Sequence, residues 1–148
     1  MVKNILAIIA GYIAMALIIA ISFTLAYNLM GADGAFKPGT YEVSATWIAM
    51  SIVMSILAAL AGGYISMLLA RNYRVSIGLA ALVFILGMFT AIHHTTREDT
   101  RPVERQAEVS NTLAMMNARE PTWVSFLNPI IGALGVLAGA RLPKNGPS

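Results

Sequence analysis

The chain contains no cysteine, which excludes disulfides, thiolate metal sites and thiol redox catalysis. Charge is scarce as well: Lys, Arg, Asp and Glu together make up 11% of the 148 residues, against about a quarter in a soluble domain. Set beside 57% hydrophobic residues and a mean hydropathy of +0.71, that scarcity excludes an ordinary soluble protein. There are two histidines, His93 and His94, and they are adjacent. Cytochrome b-type bundles need histidines deep on facing helices, so that class is excluded. No Asp or Glu lies inside an apolar run, whereas small multidrug transporters of similar span count need a membrane-embedded carboxylate for coupling. The net charge is +3, but the basic residues are scattered around the apolar runs rather than gathered on a face, so nucleic acid is not an expected partner. No catalytic, cofactor or metal signature emerges, and the expected role is non-enzymatic.

What the chain does have is four apolar runs, at about 5–30, 45–70, 75–92 and 123–140. Each reads as a membrane span, and the expected fold is all-α: a single transmembrane domain built as an antiparallel four-helix bundle. A signal peptide competes for the first run, since Ala20 and Ser22 have cleavage-like spacing, but the apolar run continues past that point. At about 1.5 Å per residue the first two spans reach about 39 Å and the last two about 27 Å.

The second span is the expected centre of the bundle. At helical spacing Ser51, Ser55, Ala59 and Gly63 fall on one line, and Ala58, Gly62 and Ser66 on the next. Small residues let backbones approach closely, and in lipid such packing replaces the hydrophobic effect as the force joining helices. The expected partner of Gly62 and Gly63 is the first span, which carries Ala7, Gly11 and Ala14 at matching depth. The fourth span has a GxxxG at Gly135 and Gly139, after a kink expected at Asn128-Pro129.

Between the spans, Gly31 to Val43 reads as a short loop flanked by the interfacial aromatics Tyr27, Phe36, Tyr41 and Trp47. Arg71 to Arg74 form a tight basic turn. Residues 93–121 make an extracytoplasmic loop holding a short amphipathic helix, with Thr100 as cap, Pro102 in the first turn and Val109, Leu113 and Met116 as its apolar stripe. The tail 141–148 reads as a disordered cytoplasmic segment. All the acids fall on the side opposite Lys3, Arg71, Arg74, Arg141 and Lys144, but Lys and Arg alone tie at five on each side; the tight basic turn and the basic tail are what put both termini in the cytoplasm, in a bacterial inner membrane.

With that orientation the polar residues of the spans gather in the outer half, and a polar pocket there would involve Asn28, Ser51, Ser55 and Asn128, with His93 and His94 at its rim. The competing reading is that hydroxyls bond their own i−4 carbonyls. His94 and Glu98 stand at i, i+4, a spacing able to hold a metal, against the simpler reading of a polar helix end with His94 paired to Glu98 and His93 beside Arg97. The pattern of Gly11-Tyr12, Ala61-Gly62-Gly63-Tyr64 and Ala70-Arg71 resembles small uncharacterised bacterial four-span membrane proteins, a resemblance that implies no activity. Two functions are expected from these features. The first is a structural or interaction protein, partnered by lipids and by itself or other membrane subunits. The alternative is a small transporter, channel or lipid-binding protein using the outward pocket, with irregular backbone near Asn128-Pro129 open to a cavity between the first, second and fourth spans.

Overall fold

The computed structural model describes residues 2–96, 99–105 and 108–143. Its elements are helices α1 (Val2–Ala35), α2 (Ala45–Ala70), α3 (Tyr73–Thr96), α4 (Asn111–Asn117) and α5 (Thr122–Gly139). Among the described residues, α1, α2, α3 and α5 are long and apolar enough to cross a membrane. Their outer faces are lined with large apolar side chains left exposed, such as Ile13, Leu17, Ile21 and Leu25 along α1 and Ile85 and Phe89 on α3. A lipid environment accounts for such faces; water does not.

Several boundaries differ from those the sequence suggests. Helix α1 continues past Met30: Gly31 breaks it at φ 67°, ψ −178°, and a last turn resumes over Ala32–Ala35. That turn is held from a distance, because Ser44 Oγ donates to the Gly34 carbonyl (2.7 Å) while also capping α2 by accepting from Trp47 N–H (3.1 Å). Helix α3 runs to Thr96 rather than stopping at Ile92. Thr95 and Thr96 fold their hydroxyls onto the Ile92 carbonyl (3.0 and 2.9 Å), so a polar stretch that reads as loop extends the helix. At 24 residues α3 is about 36 Å long, and among the spanning helices α5 alone is short.

The helix expected after Thr100 is shorter and later. Ser110 caps α4, and Pro102 starts nothing, because the backbone on either side of it is engaged elsewhere. Tyr41 N–H donates to the Val103 carbonyl and Arg105 N–H to the Gly39 carbonyl (both 2.9 Å), tying 103–105 to the loop after α1. Of the expected stripe Val109 packs on the cluster of Tyr27, Phe36, Tyr41 and Ala114, whereas Leu113 and Met116 are exposed and Ala114 is the buried residue of α4. Residues 144–148 lie outside the described residues.

The spanning helices pack in the ring order α1, α2, α5, α3, with α2 also touching α3 across the middle and α1 not touching α5. Adjacent glycines on α2 serve two different neighbours. A Cβ on Gly62 would strike Met15 and lie 3.0 Å from the Gly11 carbonyl oxygen of α1, whereas a Cβ on Gly63 would fall on the backbone of Val136 in α5. The expectation that both glycines face the first span is thus corrected: neighbours on a helix point about 100° apart, and α5 takes the second line. From the α5 side, Gly135 lies against Ala59 and Gly139 against the backbone of Leu60. The buried core around this crossing is Met15, Ala59, Leu79, Ala80 and Val136.

Candidate ligand cavity between α1, α3 and α5

Two further crossings shape the remaining space. Near the α2–α3 turn, α3 meets α1: Gly11 lies against Leu79, and Gly78 against Ile8. Farther along, α3 leans onto α5, where Gly87 receives the Pro129 ring and Gly132 the Val83 side chain. Since α1 and α5 do not touch, a groove opens between them with α3 as its third wall. Its volume is about 400 Å³, and it runs from Tyr12 and Met15 past Ile19, Leu86 and Thr90 to Asn128.

At the loop end a second cavity of about 780 Å³ lies under the connecting segments, bordered by Phe23, Tyr27 and Trp47 on one side and by Asp99, Arg101 and Met115 on the other. His94, Glu120 and Ser125 border both spaces, so groove and cavity meet there. The combination is an apolar slot with a polar mouth, in the size range of small-molecule sites.

The polar groups at the mouth are mostly committed. Asp99 accepts from Arg101 Nε (2.8 Å) and Nη2 (3.0 Å) and pairs with Arg119 Nη2 (2.8 Å). Hydrogen bonds from the Arg101 side chain hold the Asp99 carboxyl well below the usual carboxylate range, and the same contact raises Arg101. Arg101 also donates to the Ala118 carbonyl (2.6 Å), which ties the segment before α4 to the residues after it. On the far side Arg105, buried, donates to Asp33 (2.7 Å) and to the Thr40 carbonyl (3.2 Å) and lies over the Phe36 ring. Tyr27 closes the roof by donating to the Val109 carbonyl (2.7 Å).

Deeper down, the acceptors are less well served. Ser125 Oγ donates to Glu120 Oε1 (3.0 Å), and Thr90 Oγ1 to its own Leu86 carbonyl (2.8 Å). Asn128 Oδ1 is buried with no hydrogen-bond partner. Proline 129 has no N–H, so the carbonyl of Ser125, one turn earlier, also lacks its helical donor even though α5 runs on through this point.

Of the residues expected to form an outward pocket, His94 and Asn128 border this space. The others are elsewhere: Asn28 is exposed, Ser51 is buried and bonds the Ile48 carbonyl (2.8 Å), Ser55 is half-buried on α2, and His93 stacks on Phe89 with centroids 6.1 Å apart. The walls of the groove are the first, third and fourth spans, and the second span reaches only the outer cavity, through Trp47. Glu98 and Arg97, the expected partners of His94 and His93, lie outside the described residues. No group of three or more potential metal ligands occurs among the described residues. The sequence reading missed Tyr12 and Glu120 as lining residues, and it placed Thr90 and Ser125 in the polar outer half of the spans without assigning them to the pocket. A usable signal was the spacing of Gly87, Thr90 and His94 on one face of α3 and of Ser125 and Asn128 on one face of α5.

Compared with models of known families, with curated proteins and with solved structures, the chain matches none.

Proposed function

We propose that this is a multi-pass protein of a bacterial inner membrane, an antiparallel bundle with both termini cytoplasmic, that binds an amphipathic lipid in the space between α1, α3 and α5. The carrying observation is the continuity of an apolar groove with a polar cavity at His94, Glu120 and Ser125. An acyl chain matches the groove and a polar group the mouth, and the groove lies within the spans where lipid is the solvent. Arg71 and Arg74 in the tight turn and Arg141, which lies over Tyr73, support the orientation, since Lys37, Arg101, Arg105 and Arg119 at the opposite end are each paired with an acid there. In this arrangement α4 is a short amphipathic helix at the outer surface, with Met115 and Met116 as an adaptable edge of the cavity.

The structural or oligomer-forming reading draws less support. It rested on small-residue faces in excess of what one copy needs, yet Gly62, Gly63, Gly135 and Gly139 are each occupied by a helix of the same chain.

Trp47 borders the cavity and the other tryptophan, Trp123, is exposed, so a Trp123→Phe variant reports from the site alone. A brominated single-chain lipid titrated into that variant in detergent should quench Trp47 saturably, at one equivalent per protein, and an unbrominated analogue should reverse it. Quenching that rises without saturation would overturn the reading.

A further inference from the structure

Resting on the lipid-binding reading, we infer that the groove selects an uncharged headgroup that donates hydrogen bonds, such as the hydroxyls of a monoacylglycerol, and that Asn128 is the residue that recognises it. Three observations converge. Asn128 Oδ1 is an acceptor with no partner, buried where the groove approaches its mouth. Pro129 leaves the Ser125 carbonyl without its helical donor on the same stretch of α5. Ser125 itself is no donor to them, because its hydroxyl is spent on Glu120. A buried acceptor left bare is costly, and the missing component is a donor.

The charge pattern narrows the class. A fatty-acid carboxylate brings only acceptors and leaves Asn128 Oδ1 and the Ser125 carbonyl without a donor. An ammonium brings donors, but the acids near the groove are taken up elsewhere: Asp99 is engaged by Arg101 and Arg119, and Glu120 is exposed and accepts from Ser125. One neutral amide oxygen does not offset the desolvation of a full charge. A hydroxyl carries no such penalty.

The test is displacement of the brominated probe from the Trp123→Phe protein at pH 8 by four ligands of one chain length: a monoacylglycerol, the fatty acid, its methyl ester and the alkylammonium. The monoacylglycerol should displace about tenfold more tightly than the methyl ester, the worth of one ordinary hydrogen bond, and more tightly than either charged ligand. Asn128→Leu should bring monoacylglycerol and methyl ester to within about twofold of each other. Equal displacement by ester and monoacylglycerol in the wild type, as when a water already serves Asn128, overturns this inference but leaves lipid binding standing. So does tightest binding by the alkylammonium or the fatty acid, or a preference that survives Asn128→Leu. Absence of saturable quenching by the probe is the different result that removes lipid binding itself. The wild-type ratio is informative even if the variant fails to fold.

Discussion

Gly11 and Gly62 meet backbone to backbone: a Cβ on Gly11 would lie 2.8 Å from the Gly62 carbonyl oxygen, and one on Gly62 3.0 Å from that of Gly11. The obstacle nearest a Gly62 Cβ, however, is the flexible Met15 side chain, whereas for Gly63 and Gly139 it is the backbone of a neighbouring helix. Met15 can yield by changing rotamer, since its Cγ as well as its sulfur is in the way; a helix backbone cannot yield without shifting the crossing. Gly63→Ala and Gly139→Ala should therefore destabilise by about 1–3 kcal/mol, as overpacking does, and Gly62→Ala by less. Ile56→Leu, at an exposed position, should be close to neutral. Thermal melting in detergent checks this, and equal melting of all four variants would remove α2 from the centre of the bundle.

The hydroxyls of Ser66 and Ser76, both fully buried, join α2 to α3 at 2.8 Å. Ser66 already donates to the Gly63 carbonyl (2.9 Å), so the shared proton belongs to Ser76. Ser66→Ala thus strips Ser76 of its acceptor, whereas Ser76→Ala leaves the Ser66 bond to Gly63 intact. Ser66→Ala should cost more, by about 0.6–1.7 kcal/mol, and a double-mutant cycle should show coupling. Equal single-variant losses with no coupling would contradict the assigned direction.

These two examples also mark what was legible in the sequence. Hydropathy alone placed the four spans, because about twenty apolar residues in a row have few other uses, and the four-residue spacing of Gly63, Ala59 and Ser55 pointed to a packing stripe. It could not say which neighbour each line of the stripe would meet, since that depends on how α5 and α1 settle on either side. Ends were harder than middles. The last turns of α1 and α3 are held by Ser44 and by the Thr95 and Thr96 hydroxyls, whose sequence signature is that of a loop. The segment before α4 has local helix signals at Thr100 and Pro102, yet its backbone pairs with Gly39 and Tyr41, more than sixty residues away. In the cavity, Asn128 stood out as a polar residue in an apolar run. Glu120 did not, because it precedes its helix and comes to the mouth through the tertiary fold.

Arg105 and Asp33 are an asymmetric pair. The Arg105 side chain is 1% exposed and the Asp33 side chain 90%, at 2.7 Å. Water screens the carboxylate, so Asp33→Asn should cost less than about 1 kcal/mol. Arg105→Met keeps an apolar stem near Phe36 but abandons the charged hydrogen bond to the Thr40 carbonyl, and should cost about 1.5–3 kcal/mol. Chemical denaturation of the two variants in detergent would decide. A larger loss for Asp33→Asn would mean that the ion pair, rather than the buried guanidinium's backbone contact, holds the two loops together.

Asp99 gives the loop end a defined acid sensitivity. Its carboxyl is held below the ordinary range by the Arg101 hydrogen bonds, with Arg119 adding to the effect. A depressed folded-state value means the carboxylate stabilises the fold fully above the unfolded value of about 3.9, and that contribution fades as pH falls through and below it. It does nothing between pH 6 and 8. The side chain is about one-third exposed, so the effect is modest, but its location is specific: the contact bridges the segment before α4 to Ala118 and Arg119 after it. Protonation should loosen that segment first. Amide hydrogen exchange at residues 99–105 and 108–119 should accelerate on going from pH 6 to pH 2, well below the unfolded value, after correction for intrinsic rates, while the α2–α5 crossing stays protected. In Asp99→Asn the segment should exchange fast at both pH values, its remaining pH dependence reduced. An Asp99→Asn protein with wild-type protection at pH 6 would show that the arginine bridge does not hold the segment.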